Sequence, residues 1–241
     1  MPSEETEPDP SRTLALLWGV RDRPKRGPRP GLDVDRIVQA AIDLADREGV
    51  AALTMRRVAA ELGVGTASLY TYVPGRPDLI AMMLDQVIGR TSLPHELPGD
   101  WRAKFEAWAT EDWAMFHRHP WVPAVASEPV LPGPNAFAWY DSTLRVLAGT
   151  GLSEQEKVAV IETLDNYVRG TASNKQDRHK DSSWLAKRDQ ALERLVDFDA
   201  YPHLAHALTS GGNPAASETF ELGLQRVLDG IAVLIEARAQ A

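Results

Sequence analysis

Two adjacent arginines, Arg56 and Arg57, stand ahead of a run of small, hydroxyl-bearing and aromatic residues, Thr66, Ala67, Ser68, Tyr70, Thr71 and Tyr72, in the stretch LTMRRVAAELGVGTASLYTYV. The chemistry these side chains offer is recognition. An arginine can fork onto a guanine edge, hydroxyls can reach bases or phosphates, and an alanine or threonine methyl can meet the thymine methyl. Arg56 is the candidate for direct base readout, while Thr54, Arg57 and Arg76 suit phosphate contacts that set register. Catalytic chemistry is poorly represented. There is no cysteine, which removes disulfide scaffolds, thiol nucleophiles and cysteine-ligated zinc together. No nucleophile motif or phosphate loop is present. His117 and His119 are two apart and fall on different helix faces, and His203 and His206 could share a face but lack a third ligand nearby. No metal and no cofactor is expected.

Positioning those recognition residues requires short helices at a fixed angle, and the local signals supply them. Ile37, Val38, Ala41, Ile42, Leu44 and Ala45 recur at helical spacing, with Asp33 placed to cap and Gly49 to stop the helix in the left-handed region. Thr54 offers the cap of a second helix reaching Leu62, Gly63 can take the positive φ at its end, and a third helix runs from Gly65 or Thr66 to about Val73. Two short helices joined by a glycine-containing turn make a helix-turn-helix, whose second helix enters the major groove. Val58, Leu62, Val64, Leu69 and Val73 supply an inner core, and Ala59 and Ala60 allow close packing. Pro77 and Asp78 start a fourth helix that should reach about Arg90.

Charge is unevenly spread over the 241 residues: residues 1–90 carry 12 basic and 13 acidic side chains, residues 91–241 carry 14 and 21. Nucleic-acid contact therefore belongs to the first third. The segment RDRPKRGPRPGL, with Arg23, Lys25 and Arg26, has three prolines and two glycines and reads as an extended basic arm, or as a solvated linker. Hydrophobic content of 44% and charged content of 25% suit a globular chain, no apolar run approaches the ~18 residues of a membrane span, and the acidic, proline-rich start does not read as a secretory signal. No membrane association and a cytoplasmic location are expected.

The longer stretch GVAALTMRRVAAELGVGTASLYTYVPGRPDLI resembles the DNA-binding domain of the tetracycline-repressor (TetR) family of bacterial regulators, over about Leu32 to Gly89. By position, the resemblance gives Arg56 the place of a base-reading arginine, Thr66, Ala67, Ser68, Tyr70, Thr71 and Tyr72 those of the recognition helix and its end, and Arg76 a phosphate-contacting place usually held by lysine. Residues 66–68 differ from those of the tetracycline repressor itself, which implies a different operator. A weaker similarity continues in HPWVPAVASEPVLPGPNAFAWYD, in YVRG and in FELGLQRVLDGI, and implies a ligand pocket and a homodimer of the tetracycline-repressor subclass.

Residues 91–241 read as helical throughout, with helices expected at 101–118, 134–148, 153–176, 182–196 and 217–239. Six of the seven tryptophans lie here, suited either to a helical core or to the wall of a site for an aromatic or apolar molecule. His117, Trp121, Phe137, Tyr140, Asn166 and Tyr167 are the candidates to line it. Along the last helix Phe220, Leu224, Val227, Ile231 and Leu234 form a stripe with Gly223 and Gly230 seven apart, and with Val158 and Ile161 they suggest an intersubunit four-helix bundle, the alternative being an intramolecular core.

The expected architecture is all-α: a basic N-terminal extension (1–31), a three-helix helix-turn-helix domain with its connecting helix (32–90), and a larger helical domain for ligand binding and dimerisation (91–241). The expected function is a ligand-responsive transcriptional regulator, most simply a repressor, that binds a near-palindromic double-stranded DNA operator as a homodimer and is released by a small-molecule effector. The rival from another class is a helical small-molecule-binding enzyme or hydrolase without sequence-specific DNA binding.

Overall fold

The computed structural model describes residues 10–20, 32–176, 182–211 and 218–240. Among these residues every regular element is a helix, as the sequence predicts. Helix α2 (Val34–Glu48) starts where the Asp33 carboxylate accepts the Arg36 amide at 2.8 Å and ends at Gly49, whose φ of 80° is costly for a side chain with a Cβ. Helix α3 (Met55–Glu61) is capped by the Thr54 hydroxyl, and Gly63 (φ 65°) turns the chain into α4 (Thr66–Tyr70). Helix α5 (Arg76–Ile88) opens with Pro77 in its first turn.

The four helices bury one core made of Ile37, Ala41, Ile42, Leu44, Leu53, Val58, Leu69, Val73 and Leu79, all at most 1% exposed. Of the inner face expected for the helix-turn-helix, Val58, Ala59, Leu69 and Val73 are buried, Leu62 and Val64 are half-buried, and Ala60 is exposed. Tyr72, assigned to the outer face by the sequence, instead packs partly against this core, because α4 ends at Tyr70 and the following turn swings its ring inward.

The expected extension also changes character. Pro10–Leu17 forms helix α1, which packs on α5, and its Thr13 hydroxyl donates to the buried Asp78 at 2.6 Å. Eight residues whose apolar side chains run consecutively from Leu14 to Leu17 show no helical periodicity on their own. Arg23, Lys25 and Arg26 lie outside the described residues.

The larger body comprises α6 (Trp101–Arg118), the short α7 (Val122–Val125), α8 (Pro134–Val146), α9 (Glu154–Gln176), α10 (Ser182–Leu195), α11 (Pro202–Thr209) and α12 (Glu218–Ala239). Helices α6, α9 and α12 pack side by side over Phe105, Trp108, Ile161, Leu164, Leu224 and Leu228. Close contact of α9 with α12 depends on Gly223: a Cβ there would lie 2.2 Å from the Tyr167 hydroxyl, which donates to the Phe220 carbonyl at 2.7 Å. Trp113 stacks on Phe220 with ring centroids 4.1 Å apart.

Two polar joints tie the two bodies together. The buried Asp85 of α5 accepts from the Ala136 amide (3.0 Å) and the Asn135 side chain (2.9 Å), so a carboxylate from one body caps α8 of the other, and Gly133 leaves room for it. Asp46 of α2 meets His119 Nδ1 at 2.9 Å and accepts from Trp121 Nε1 at 2.7 Å. Within the DNA-reading body, Arg90 just past α5 reaches the Gln39 side chain of α2. Replacing Asp85 with Ala removes a buried acceptor and uncaps α8, so Asp85→Ala is expected to cost about 1–3 kcal/mol of folding free energy. Urea unfolding followed by tryptophan fluorescence measures it, and an unchanged midpoint would show that apolar packing alone holds the joint.

Candidate nucleic-acid interface and internal cavity

The outward face of α3 and α4 carries the recognition set. Arg56 projects into solvent, and among the described residues nothing pairs with its guanidinium. Ala67, Tyr70 and Thr71 are exposed, and Thr66 and Ser68 are half-exposed beside them. The Thr71 hydroxyl donates to the Ser68 carbonyl at 2.7 Å, closing the end of α4. Thr54 stays exposed at the start of α3 while its oxygen accepts the Arg57 amide.

Two arginines assigned to phosphates do other work in this conformation. Arg57 Nη2 meets both oxygens of Glu48, at 2.5 and 2.6 Å, and that hydrogen bond holds the Glu48 carboxyl below its ordinary range. The pair braces α3 against α2, as does Arg47 with Glu61 at 2.7 Å. Arg76 donates through Nε to the Leu53 carbonyl (2.9 Å) and through Nη2 to the Val50 carbonyl (3.0 Å). Its fork thereby binds the first residue of α5 to the turn that leads into α3. Sequence spacing places both arginines on the nucleic-acid side, but only the folded chain shows that partners within the protein already occupy them.

A cavity of about 720 Å³ opens in the larger body between α5, α6, α7, α8 and α9. Most of its wall is apolar, from Leu84 and Ile88 on α5, Met115 and Phe116 on α6, and Phe137, Trp139 and Leu144 on α8. The N-terminal helix reaches its rim, since the Trp18 ring meets Phe137 edge-on at 5.3 Å and Trp18 Nε1 donates to the Pro132 carbonyl at 3.4 Å.

Of the six sequence-predicted lining residues, the fold brings Phe137 and Tyr140 to this cavity. The other four lie elsewhere. Trp121 is buried at the Asp46 joint. His117 is exposed, with Nδ1 2.7 Å from the Trp113 carbonyl. Asn166 lies on the outer face of α9, where its Oδ1 accepts from Arg169 at 2.8 Å. Tyr167 is committed to α12. An aromatic or amide residue says nothing by type about which side of its helix faces a void.

The sequence reading missed the charged groups of the cavity, Asp112, Asp141, Asp165 and Arg169. One signal was available: Asp112 falls on the same helical stripe as Phe105, Trp108, Met115 and Phe116, an acid at a core position. Its Oδ2 accepts from Trp108 Nε1 at 2.7 Å. Burial, reinforced by Asp165 and Glu111, outweighs that bond and pushes the Asp112 carboxyl from 3.8 up to about 8. Burial likewise raises Asp165, against the pull of the Arg169 guanidinium 2.6 Å away.

The stripe proposed for dimerisation divides. Ile161, Phe220, Leu224 and Ile231 are at most 6% exposed within a single chain, Val227 and Leu234 pack partly on the same core, and Gly223 serves the α9–α12 approach. These seven build the intramolecular core. Helical periodicity reports that a face is covered and cannot report by which chain. Val158 (39% exposed) and Gly230, where an added Cβ would meet nothing, remain on the outside, joined there by Leu222 (62%) and Val233 (66%).

Among the described residues no group of three or more histidine or acidic side chains is arranged to hold a metal ion, and no helix is long and apolar enough to cross a membrane.

The helix-turn-helix below a cavity-bearing helical body defines the class of protein, and comparison with known proteins identifies the family. Residues 37–82 match the model of bacterial regulatory proteins of the tetR family, and residues 93–235 match the tetracyclin repressor-like C-terminal domain. The chain belongs to the tetracycline-repressor family of bacterial transcriptional regulators. It is 41% identical to the HTH-type transcriptional repressor DrrR1 of Streptomyces coeruleorubidus, over 95% of this chain and 88% of that repressor. It is 35% identical to an HTH-type transcriptional regulator of Saccharopolyspora erythraea, over 87% of this chain and 89% of the relative. The fold is similar to that of ActR from Streptomyces coelicolor, with a TM-score of 0.73 for the apo form at 27% identity, covering 88% of this chain and 99% of ActR. A second ActR structure holds actinorhodin, with a TM-score of 0.72 at 28% identity, covering 85% of this chain and 97% of that one.

The raised Asp112 carboxyl sets a pH dependence. Between 3.8 and about 8 the folded chain holds a proton that the unfolded chain has lost. Stability therefore falls as pH rises through that window, and the group contributes no pH dependence below it. Asp112→Asn removes the titration while keeping an acceptor for Trp108, so the variant should gain stability over the parent at pH 8 and lose that advantage towards pH 4. Denaturant melts across this range measure it; parallel curves for the two proteins would contradict it.

Proposed function

We propose that this chain is a transcriptional repressor that acts in the cytoplasm as a homodimer on a near-palindromic operator and is released by a small molecule taken into the cavity. One observation carries this reading: α5 serves both ends. Its Leu84 and Ile88 line the cavity, and its first residue, Arg76, holds the turn before α3. A ligand that pushes α5 or α8 pulls on the Asp85 cap and, through Arg76, on the angle of α3 and α4. The N-terminal helix adds a second route, from Phe137 through Trp18 to Thr13 and Asp78 on α5. The names of the relatives support repression, and the actinorhodin bound to ActR supports a small-molecule effector. The rival reading as a hydrolase gains no support, since these relatives are named as regulators.

Arg56 is the base-reading residue of this proposal, with Ala67, Ser68, Tyr70 and Thr71 alongside it; Arg57 and Arg76 orient the reading helices. Arg23, Lys25 and Arg26 would add phosphate contacts from the arm. Two reading helices about a helical turn apart require a twofold partner. The exposed Val158, Leu222 and Val233 on α9 and α12 give it an apolar surface, and Gly230 lets a backbone approach. To move the DNA-competent population from 99:1 to 1:99, the effector must prefer the released state by about 5.5 kcal/mol. DNA must weaken effector binding by the same factor.

Two measurements test this. Arg56→Ala should lose roughly 1–3 kcal/mol on a site selected from random duplexes and little on scrambled DNA, read by fluorescence anisotropy at fixed salt. Equal losses on both would reduce Arg56 to a phosphate contact. Val233→Glu should shift sedimentation from dimer to monomer and abolish binding to the selected site; a variant that stays dimeric would remove α12 from the interface.

A further inference from the structure

The acids that line the cavity, Asp112, Asp141 and Asp165, outnumber its cations. Asp112 is 6% exposed, and its Oδ2 is taken by the Trp108 indole. Among the described residues nothing meets Oδ1, although Asp112 lines the cavity. Asp141 of α8 and Asp165 of α9 line the same cavity. Glu111, next to Asp112 on α6, and Glu162, which the Tyr140 hydroxyl meets at 3.4 Å, add further negative charge behind it. Against these stands the cation Arg169, whose charge is paired with Asp165 and three of whose five N–H donors are taken. They go to Asp165 Oδ2 at 2.6 Å, the Ala126 carbonyl at 2.7 Å and Asn166 Oδ1 at 2.8 Å.

We propose that the cavity selects an amphiphilic cation: a drug-sized, largely aromatic body bearing a protonated amine, whose ammonium group binds the free oxygen of Asp112. This rests on the reading of the cavity as the effector site and names the chemistry of the effector. Leu84, Ile88, Met115, Trp139 and Leu144 accommodate the apolar body. Trp139 and Tyr140 also line the cavity, and aromatic ring faces attract cations. An anionic ligand would meet three carboxyl side chains and one cation already paired with Asp165. A neutral ligand would gain a single hydrogen bond from the protonated acid.

The same arrangement explains how the empty cavity tolerates Asp112. Without a counter-cation the buried carboxyl keeps its proton at neutral pH, because burial penalises the charged form. An arriving ammonium supplies the missing charge, the carboxyl ionises, and its proton leaves to solvent. Attraction between the two ions in a water-poor site exceeds what the same pair gains in bulk water.

The test uses the full chain and two fluorescent probes, dansylcadaverine with its primary amine and its N-acetylated, neutral counterpart. The amine should bind the parent protein at least about tenfold tighter than the acetylated probe at pH 7, the equivalent of about 1.4 kcal/mol. In Asp112→Asn that ratio should fall to near one. Calorimetry of the amine in buffers of different ionisation heat should show proton release with the parent and none with the variant. Equal affinity of the parent for both probes, or a ratio that survives in Asp112→Asn, overturns the cation reading and leaves the effector cavity standing. If neither probe binds, the cavity reading and the proposal fall together. Should Asp112→Asn not fold, the parent's amine-to-acetyl ratio and its proton release decide the matter.

Discussion

Helix α5 is wedged between two bodies and belongs to the packing of both. Its apolar residues Leu79 and Met83 are fully buried, while its charged side chains are each used at a specific joint. Arg76 closes onto the carbonyls of Val50 and Leu53, Asp78 receives Thr13, and Asp85 caps α8. A helix so fastened cannot shift at one end without dragging what is attached at the other, because close-packed interiors move as rigid pieces. The angle of the reading helix and the shape of the cavity are therefore linked through a single element.

The cavity is costly to keep. An open void forfeits dispersion contacts, and an unpaired buried acid must either neutralise itself or find a counter-ion. Asp112 takes the first course when the cavity is empty. Natural domains are stable by only about 5–15 kcal/mol, so structure given up at such a place is retained for what it can bind. The N-terminal helix also becomes intelligible in these terms: Trp18, 43% exposed, covers part of the rim through Phe137 and Pro132, while Thr13 on the same helix holds α5.

The surface tells the reverse story on the far side of the body. Helices α9 and α12 bury one face against each other and α6, yet leave Val158, Leu222 and Val233 uncovered. Apolar side chains also stand out on α10 and α11, where Trp184 and Leu204 are more than half exposed. Outer helices that remain partly apolar are the physical ground for the twofold partner proposed above.

Local chemistry settled the elements of the DNA-reading third from the sequence. Asp33, Thr54, Gly49 and Gly63 act within a few residues of themselves, so their roles as caps and stops need no tertiary information, and Val58, Leu69 and Val73 reveal a buried face by period alone. The family skeleton was equally legible. Position relative to distant parts of the chain was not. Arg57 and Arg76 find partners 9 to 26 residues away, Tyr167 commits to Phe220 across 53, and Trp121 to Asp46 across 75. Helix α1 was too short to announce itself without α5 beneath it. Asp112 carried a local sign of its place, an acid on an apolar stripe, but whether a core, a partner or a void faced that stripe was decided only when α5, α8 and α9 closed around it. Periodicity records that water is excluded from a face; which atoms do the excluding is a property of the whole fold.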